Sequence, residues 1–161
     1  MRIAVYPGSF DPITLGHLNI VKRASRLFDK VYVCVMVNSG KSPVFTVEER
    51  VDFVNRVTSK YGNVEAESSD SLLVDYVKSK GGLFIVKGLR ALSDFDMEFQ
   101  MALTNKKLEP GIDTVFLTAD EKYTYLSSTI VREMAMYHAD LTKFVPREII
   151  PDVLEKLGKA D

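Results

Sequence analysis

Short β-branched runs alternate with longer amphipathic stretches along the whole chain, and this alternation restricts the folds open to it. Residues 2–6, 31–37, 64–67, 83–87 and 114–118 read as strands. Several are apolar throughout, the pattern of strands covered on both faces. Between the first two, residues 15–28 place Leu18, Val21, Ala24 and Phe28 at helical spacing. Thr46-Val47-Glu48-Glu49 has the form of a capping box, after which Val47, Val51, Val54 and Val57 line one helix face. Further helices are predicted over 72–80, 94–108, 128–137 and 147–157. Such β–α alternation predicts a doubly wound α/β fold: a parallel five-stranded sheet with helices on both faces, plus a C-terminal helix. Gly81-Gly82 and Pro110-Gly111 read as turns between elements. With no repeat, low-complexity tract or linker, residues 1–161 are expected to form one domain.

Composition narrows the function classes. The chain has 161 residues, enough for one sizeable core, and a net charge of -1. No overall positive field draws in nucleic acid. The apolar stretches are too short to span a bilayer, so no membrane partner is expected. Cys34, the one cysteine, lies within an apolar run and reads as a buried small side chain. A single thiol and no signal-peptide pattern fit the cytoplasm.

In doubly wound sheets ligands bind beyond the carboxyl ends of the strands, so the loops there are where chemistry is expected. After the first strand comes Tyr6-Pro7-Gly8-Ser9-Phe10-Asp11-Pro12-Ile13-Thr14-Leu15-Gly16-His17. Gly8 allows close approach of backbone to a ligand, Ser9 offers a hydroxyl, and the helix start presents free N–H groups to an anion. His17 falls in the first helical turn, where the helix dipole favours a neutral imidazole that can still donate a hydrogen bond. Gly16 removes a side chain that would block a flat base or a phosphate. An isolated histidine is more often an ordinary surface residue; the whole string behind a strand is not. It resembles the T/HxGH signature of the adenylyl- and cytidylyltransferases, here Thr14-Leu15-Gly16-His17, and the wider string is similar to that of bacterial phosphopantetheine adenylyltransferases.

Two further constellations lie at later strand ends. Lys87-Gly88-Leu89-Arg90 supplies two cations, one a mobile point charge and one a planar fork. They read equally as a polyphosphate clamp or as solvated charges. Leu126-Ser127-Ser128-Thr129-Ile130-Val131-Arg132 offers hydroxyls that can cap a helix or ligate phosphate, with Arg132 four residues after Ser128. This run resembles the ISSTxIR signature of the same superfamily. Lys41, after the second strand, reads by chemistry alone as a solvated loop lysine. The following Pro43-Val44-Phe45-Thr46-Val47-Glu48-Glu49-Arg50 is similar to the phosphopantetheine adenylyltransferase pattern, which carries a lysine in this loop and so promotes Lys41.

The resemblance covers nearly the whole chain and implies a set of roles. Ser9, Lys41, Leu73 and Lys87 are expected on the 4'-phosphopantetheine side, with Lys41 and Lys87 near its phosphate. Ser9, Phe10, His17, Gly88, Leu89, Arg90, Glu98, Tyr123, Thr124, Tyr125, Leu126, Ser127, Ser128 and Thr129 are expected around ATP. His17, Lys41 and Arg90 are the expected catalytic residues, with His17 stabilising the transition state. The family more often has arginine at position 87, so lysine keeps the charge and loses the bidentate fork. Mg²⁺ is expected as the ATP complex, with no protein-built metal site. A homohexamer and feedback inhibition by coenzyme A are implied by the resemblance alone. His138 has no assigned role.

Other readings share parts of this pattern. Nicotinamide mononucleotide adenylylation or cytidylyl transfer differs in the acceptor region around Lys41, Leu73 and Lys87. A class I aminoacyl-tRNA synthetase would need a longer chain and a KMSKS-like loop. A non-catalytic ATP-binding module would not need His17, and a flavodoxin-like carrier would be coloured.

Overall fold

A computed structural model describes residues 1–158, with only the backbone of Leu92 and Ser93. β1 (Ile3–Gly8) lies at the centre of a parallel sheet. It is flanked by β2 (Lys30–Met36) and then β3 (Val64–Ser69) on one side, and by β4 (Phe84–Leu89) and then β5 (Asp113–Thr118) on the other. The connecting helices are α1 (Leu15–Leu27), α2 (Val47–Thr58), α3 (Leu73–Ser79) and α4 (Leu92–Leu108). After β5 come α5 (Ser128–Met136) and α6 (Ile150–Leu157). The expected doubly wound sheet of five strands is therefore present.

Side-chain alternation along the strands assigns the two faces. Ala4 and Tyr6 of β1, Val31, Val33 and Val35 of β2, and Val86 of β4 join one buried cluster with Val21 and Ala24 of α1, Val54 and Val57 of α2, Val131 of α5 and Val153 of α6. Val5, Cys34 and Ile85 point the other way, into a smaller cluster with Val74, Tyr76 and Val77 of α3 and Ile112. Cys34 is a buried free thiol, and burial pushes its pKa up to about 11.

Several boundaries differ from the sequence expectation for physical reasons. β1 runs on through Pro7 and Gly8, which the sequence placed in the loop after it, because its ladder with β2 continues to Gly8↔Val35. β4 likewise runs to Leu89, so Lys87, Gly88 and Leu89 are strand residues and not loop residues. The helix expected over 147–157 divides into a 3-10 turn, Arg147–Ile149, and α6, because Pro151 fits only a first helical turn. The capping box expected at Thr46 is half formed. The Thr46 hydroxyl accepts from the Glu49 amide at 3.1 Å, but the Glu49 carboxylate turns to Lys156 of α6 at 2.6 Å. α4 is apolar on more than one side, with Met97 70% and Leu103 56% exposed. Among the described residues no helix is long and apolar enough to cross a membrane.

Candidate active site

The sheet opens where the strand order reverses. β1 pairs with β2 along its whole length, but with β4 only at Ala4↔Phe84 and Val5↔Ile85. Beyond Val5 the two strands part, and Pro7, which has no N–H to donate, falls in the unpaired stretch. The resulting crevice encloses about 260 Å³ between Tyr6, Pro7 and Gly8 on one wall and Lys87, Gly88 and Arg90 on the other. Thr14, Gly16, His17 and Ile20 at the start of α1 also line it, as do Tyr123, Leu126, Ser127 and Ser128.

His17 is held by the helix cap itself. The Thr14 hydroxyl accepts from the His17 amide at 3.2 Å, and the Thr14 amide donates to His17 Nδ1 at 3.0 Å. An amide donor at Nδ1 assigns the ring proton to Nε2, leaving that nitrogen as the donor. Burial lowers the imidazole pKa to about 4, with Arg90 and then Lys87 adding to the effect. Burial thus favours the neutral imidazole expected from the sequence, and desolvation is its leading cause. Phe10, at a φ of 47°, packs its ring edge-on to both His17 and Tyr6 at centroid distances of 5.0 and 5.2 Å. A Cβ on Gly8 would stand 2.9 Å from Phe10 Cζ, so Gly8 is required first by this ring.

Lys87 of β4 and Arg90, just beyond its end, each meet an acid of α4. Arg90 Nε donates to Asp94 at 3.1 Å while its Nη1 donates to the Leu126 carbonyl at 2.9 Å. Lys87 Nζ lies 3.4 Å from Glu98. Tyr6 sits beneath them, and burial, then the charge of Glu98, raise its phenol pKa.

A second, larger cleft of about 720 Å³ adjoins the first. It is lined by Ser9, Lys41, Ser128, Thr129 and Arg132, and Ser128 borders both clefts. The Ser127 hydroxyl caps α5, accepting from the Ile130 amide at 3.2 Å, whereas the Ser128 hydroxyl donates to the Pro12 carbonyl at 2.7 Å.

Of the residues singled out from the sequence, Phe10, His17, Lys87, Gly88, Arg90, Glu98, Tyr123, Leu126, Ser127 and Ser128 meet in the crevice. Ser9, Lys41 and Thr129 meet in the adjoining cleft. Leu73, Leu89, Thr124 and Tyr125 line neither. Leu73 packs against the smaller core cluster, and the Thr124 hydroxyl is turned back to the Glu121 carbonyl at 2.9 Å. Sequence reasoning missed Asp94, legible as an acid four residues after Arg90, and Tyr6, which has no local signal. Among the described residues no group of three or more His, Cys, Asp or Glu could hold a metal ion.

Comparison with known proteins fits this geometry. Residues 5–134 match the cytidylyltransferase-like family model. The chain is 53% identical over 158 residues to a phosphopantetheine adenylyltransferase of Clostridium botulinum (strain Hall), covering 98% of this chain and 96% of the relative. It is 52% identical to that of Clostridium novyi, covering 99% of each. Two solved structures share the fold at 16% identity. A putative nicotinate-nucleotide adenylyltransferase from Vibrio parahaemolyticus has a TM-score of 0.68 over 96% of this chain and 93% of that one. The Plasmodium falciparum nicotinic acid mononucleotide adenylyltransferase, complexed with NaAD, has a TM-score of 0.71 over 96% and 95%. The chain belongs to the phosphopantetheine adenylyltransferases, within the cytidylyltransferase-like family.

Proposed function

We propose that the protein, acting as one nucleotidyltransferase domain, transfers the adenylyl group of ATP reversibly to 4'-phosphopantetheine, giving dephospho-coenzyme A and pyrophosphate in coenzyme A biosynthesis. The observation that carries the reaction type is His17: a neutral imidazole, fixed through Nδ1, in a crevice rimmed by Lys87 and Arg90. The acceptor rests on the extent of identity to the clostridial phosphopantetheine adenylyltransferases.

The acceptor phosphate is ionised at neutral pH and attacks the α-phosphorus in line, so no general base is needed and no covalent enzyme intermediate forms. The bond from the α-phosphorus to the bridging oxygen breaks and pyrophosphate leaves. The protein positions the two substrates and stabilises charge as it develops. His17 Nε2–H donates to the α-phosphate in the transition state. Arg90 and the start of α5 hold the outer phosphates, and Lys41 and Lys87 hold the acceptor phosphate. Mg²⁺ arrives as the ATP complex, bound largely by phosphates and water.

The protein acts in the cytoplasm as a homohexamer, and the exposed apolar side chains of α4 support burial of that helix between copies. Coenzyme A contains both halves of the product and inhibits by occupying the same clefts. The test is to incubate the protein with Mg-ATP and either 4'-phosphopantetheine or nicotinamide mononucleotide, following pyrophosphate and the mass of the product. Dephospho-coenzyme A is expected with the first acceptor. Product from nicotinamide mononucleotide alone would overturn the acceptor, and ATP binding without turnover would leave a binding module.

A further inference from the structure

Asp11 is among the few buried charged residues of those described, with 7% of its surface exposed, and the reaction proposed above gives it no task. Its two carboxylate oxygens accept consecutive backbone amides, Oδ2 from Val44 at 3.0 Å and Oδ1 from Phe45 at 2.9 Å. Two converging N–H groups call for a side chain with two acceptor oxygens and no donor, which a carboxylate supplies and an amide does not. Arg132 faces the same carboxylate at 3.6 Å and also donates to the Asp11 carbonyl at 2.7 Å. Arg50, 3% exposed, donates to the Ser9 carbonyl at 2.9 Å.

These contacts clasp three parts of the chain together: the first loop, α5 through Arg132, and the segment that joins β2 to α2 and runs on to Arg50. The last of these carries Lys41. At its β2 end the Lys41 amide donates to the Asn38 carbonyl at 3.1 Å, and the Gly40 amide to Asn38 Oδ1 at 2.9 Å. At its α2 end the segment is anchored to the first loop through Asp11. Lys41 therefore lies between a turn closed on itself and a tether to the loop that bears Ser9, and both side chains line the same cleft.

We propose that Asp11 is a positioning residue for Lys41: by accepting the Val44 and Phe45 amides it fixes the segment carrying Lys41 against the first loop, at the site where the acceptor phosphate binds. The inference rests on the adenylyl-transfer reading. Asp11 touches no substrate and acts through the lysine.

The test is a double-mutant cycle of Asp11→Asn and Lys41→Ala, read as kcat/KM for 4'-phosphopantetheine, with thermal unfolding of each variant. Asparagine keeps the size of Asp11 but turns an NH₂ group toward one of the two amides. Asp11→Asn in the otherwise unaltered protein is expected to lower kcat/KM by roughly 10²-fold, the scale of a misplaced binding group. In the Lys41→Ala background the same change is expected to alter it by no more than about twofold, because the residue it positions is gone. An equal loss in both backgrounds would overturn the inference, as would unaltered activity of Asp11→Asn. If Asp11→Asn does not unfold cooperatively, Val44→Pro removes one of the two donors from the other side. The same cycle then applies, with a loss confined to the Lys41 background expected and an equal loss in both backgrounds overturning the inference. Absence of turnover by the unaltered protein is a different result, which overturns the reaction and not the clasp.

Discussion

The backbone amide of Thr14 donates to Nδ1 of His17 at 3.0 Å, so the residue that caps α1 also sets which nitrogen of the imidazole carries its proton. A capping contact, commonly a matter of helix stability, here orients a side chain in the crevice. The cap is reciprocal, with the histidine in the place usually taken by Glu or Gln in a capping box. Leu15 and Gly16 between them complete the spacing. The Thr-x-x-His spacing is therefore dictated by geometry as much as by chemistry.

It follows that His17 stays neutral well below the pH at which a free histidine charges. Its pKa is lowered from 6.5 to about 4, so between these values the unfolded chain binds a proton that the folded chain does not. Stability then rises with pH across that window, and the difference levels off below about pH 4. Nitrogen-15 spectra of the imidazole at pH 7 are expected to show the Nε2–H tautomer, with no titration of His17 down to pH 5. Urea unfolding of the unaltered protein should fall more steeply with acid than that of His17→Ala over the same window. A His17 resonance titrating near 6.5 would contradict the burial argument.

Gly8→Ala tests the wall of the crevice. The new Cβ would stand 2.9 Å from Phe10 Cζ and 3.0 Å from Cε2, and Phe10 lies edge-on to His17. The ring or the strand must move. A loss of about 1–3 kcal/mol in unfolding free energy is expected from this overpacking. A fall in kcat of ~10-fold or more is expected with it, because the displaced ring disturbs the orientation of His17. Denaturant titration and steady-state kinetics on the same preparation check both, and unaltered kcat would show that Phe10 does not position the imidazole.

The fold was legible because its signals are local. Val31, Val33 and Val35 face one cluster and Cys34 the other, and a short β-branched run of this kind suits a strand covered on both faces. The first loop was legible as part of the crevice wall for the same reason, its Gly8, Phe10, Thr14, Gly16 and His17 lying together in sequence. What the sequence did not reveal depends on partners distant in the chain. Pro7 and Gly8 read as the end of β1, and only the continuing ladder with β2 keeps them in the strand. Glu49 completes a capping-box pattern with Thr46, yet its carboxylate is drawn to Lys156, 107 residues away. Tyr6 enters the crevice only because β1 and β4 part after Val5. Leu73, assigned by resemblance to the acceptor side, packs against the smaller core cluster and lines neither cleft.

The apolar surface of α4 carries the expectation for assembly. Met97, Met101 and Leu103 are 70%, 49% and 56% exposed, an exposure that water does not favour on a single helix. Sedimentation of the unaltered protein is expected to give a mass near six chains. Leu103→Glu, which sets a charge in that surface, is expected to shift the population to smaller species without loss of helical signal. A monomer in both cases would contradict the assembly.

In the reaction proposed above, His17, held neutral and oriented through Nδ1, acts on charge that appears only in the transition state. Steady-state pyrophosphate release from Mg-ATP and 4'-phosphopantetheine, compared between the unaltered protein and His17→Ala, tests this most directly. A fall in kcat of ~10²–10³-fold is predicted, with little change in either KM. A variant that keeps the kcat of the unaltered protein would contradict it.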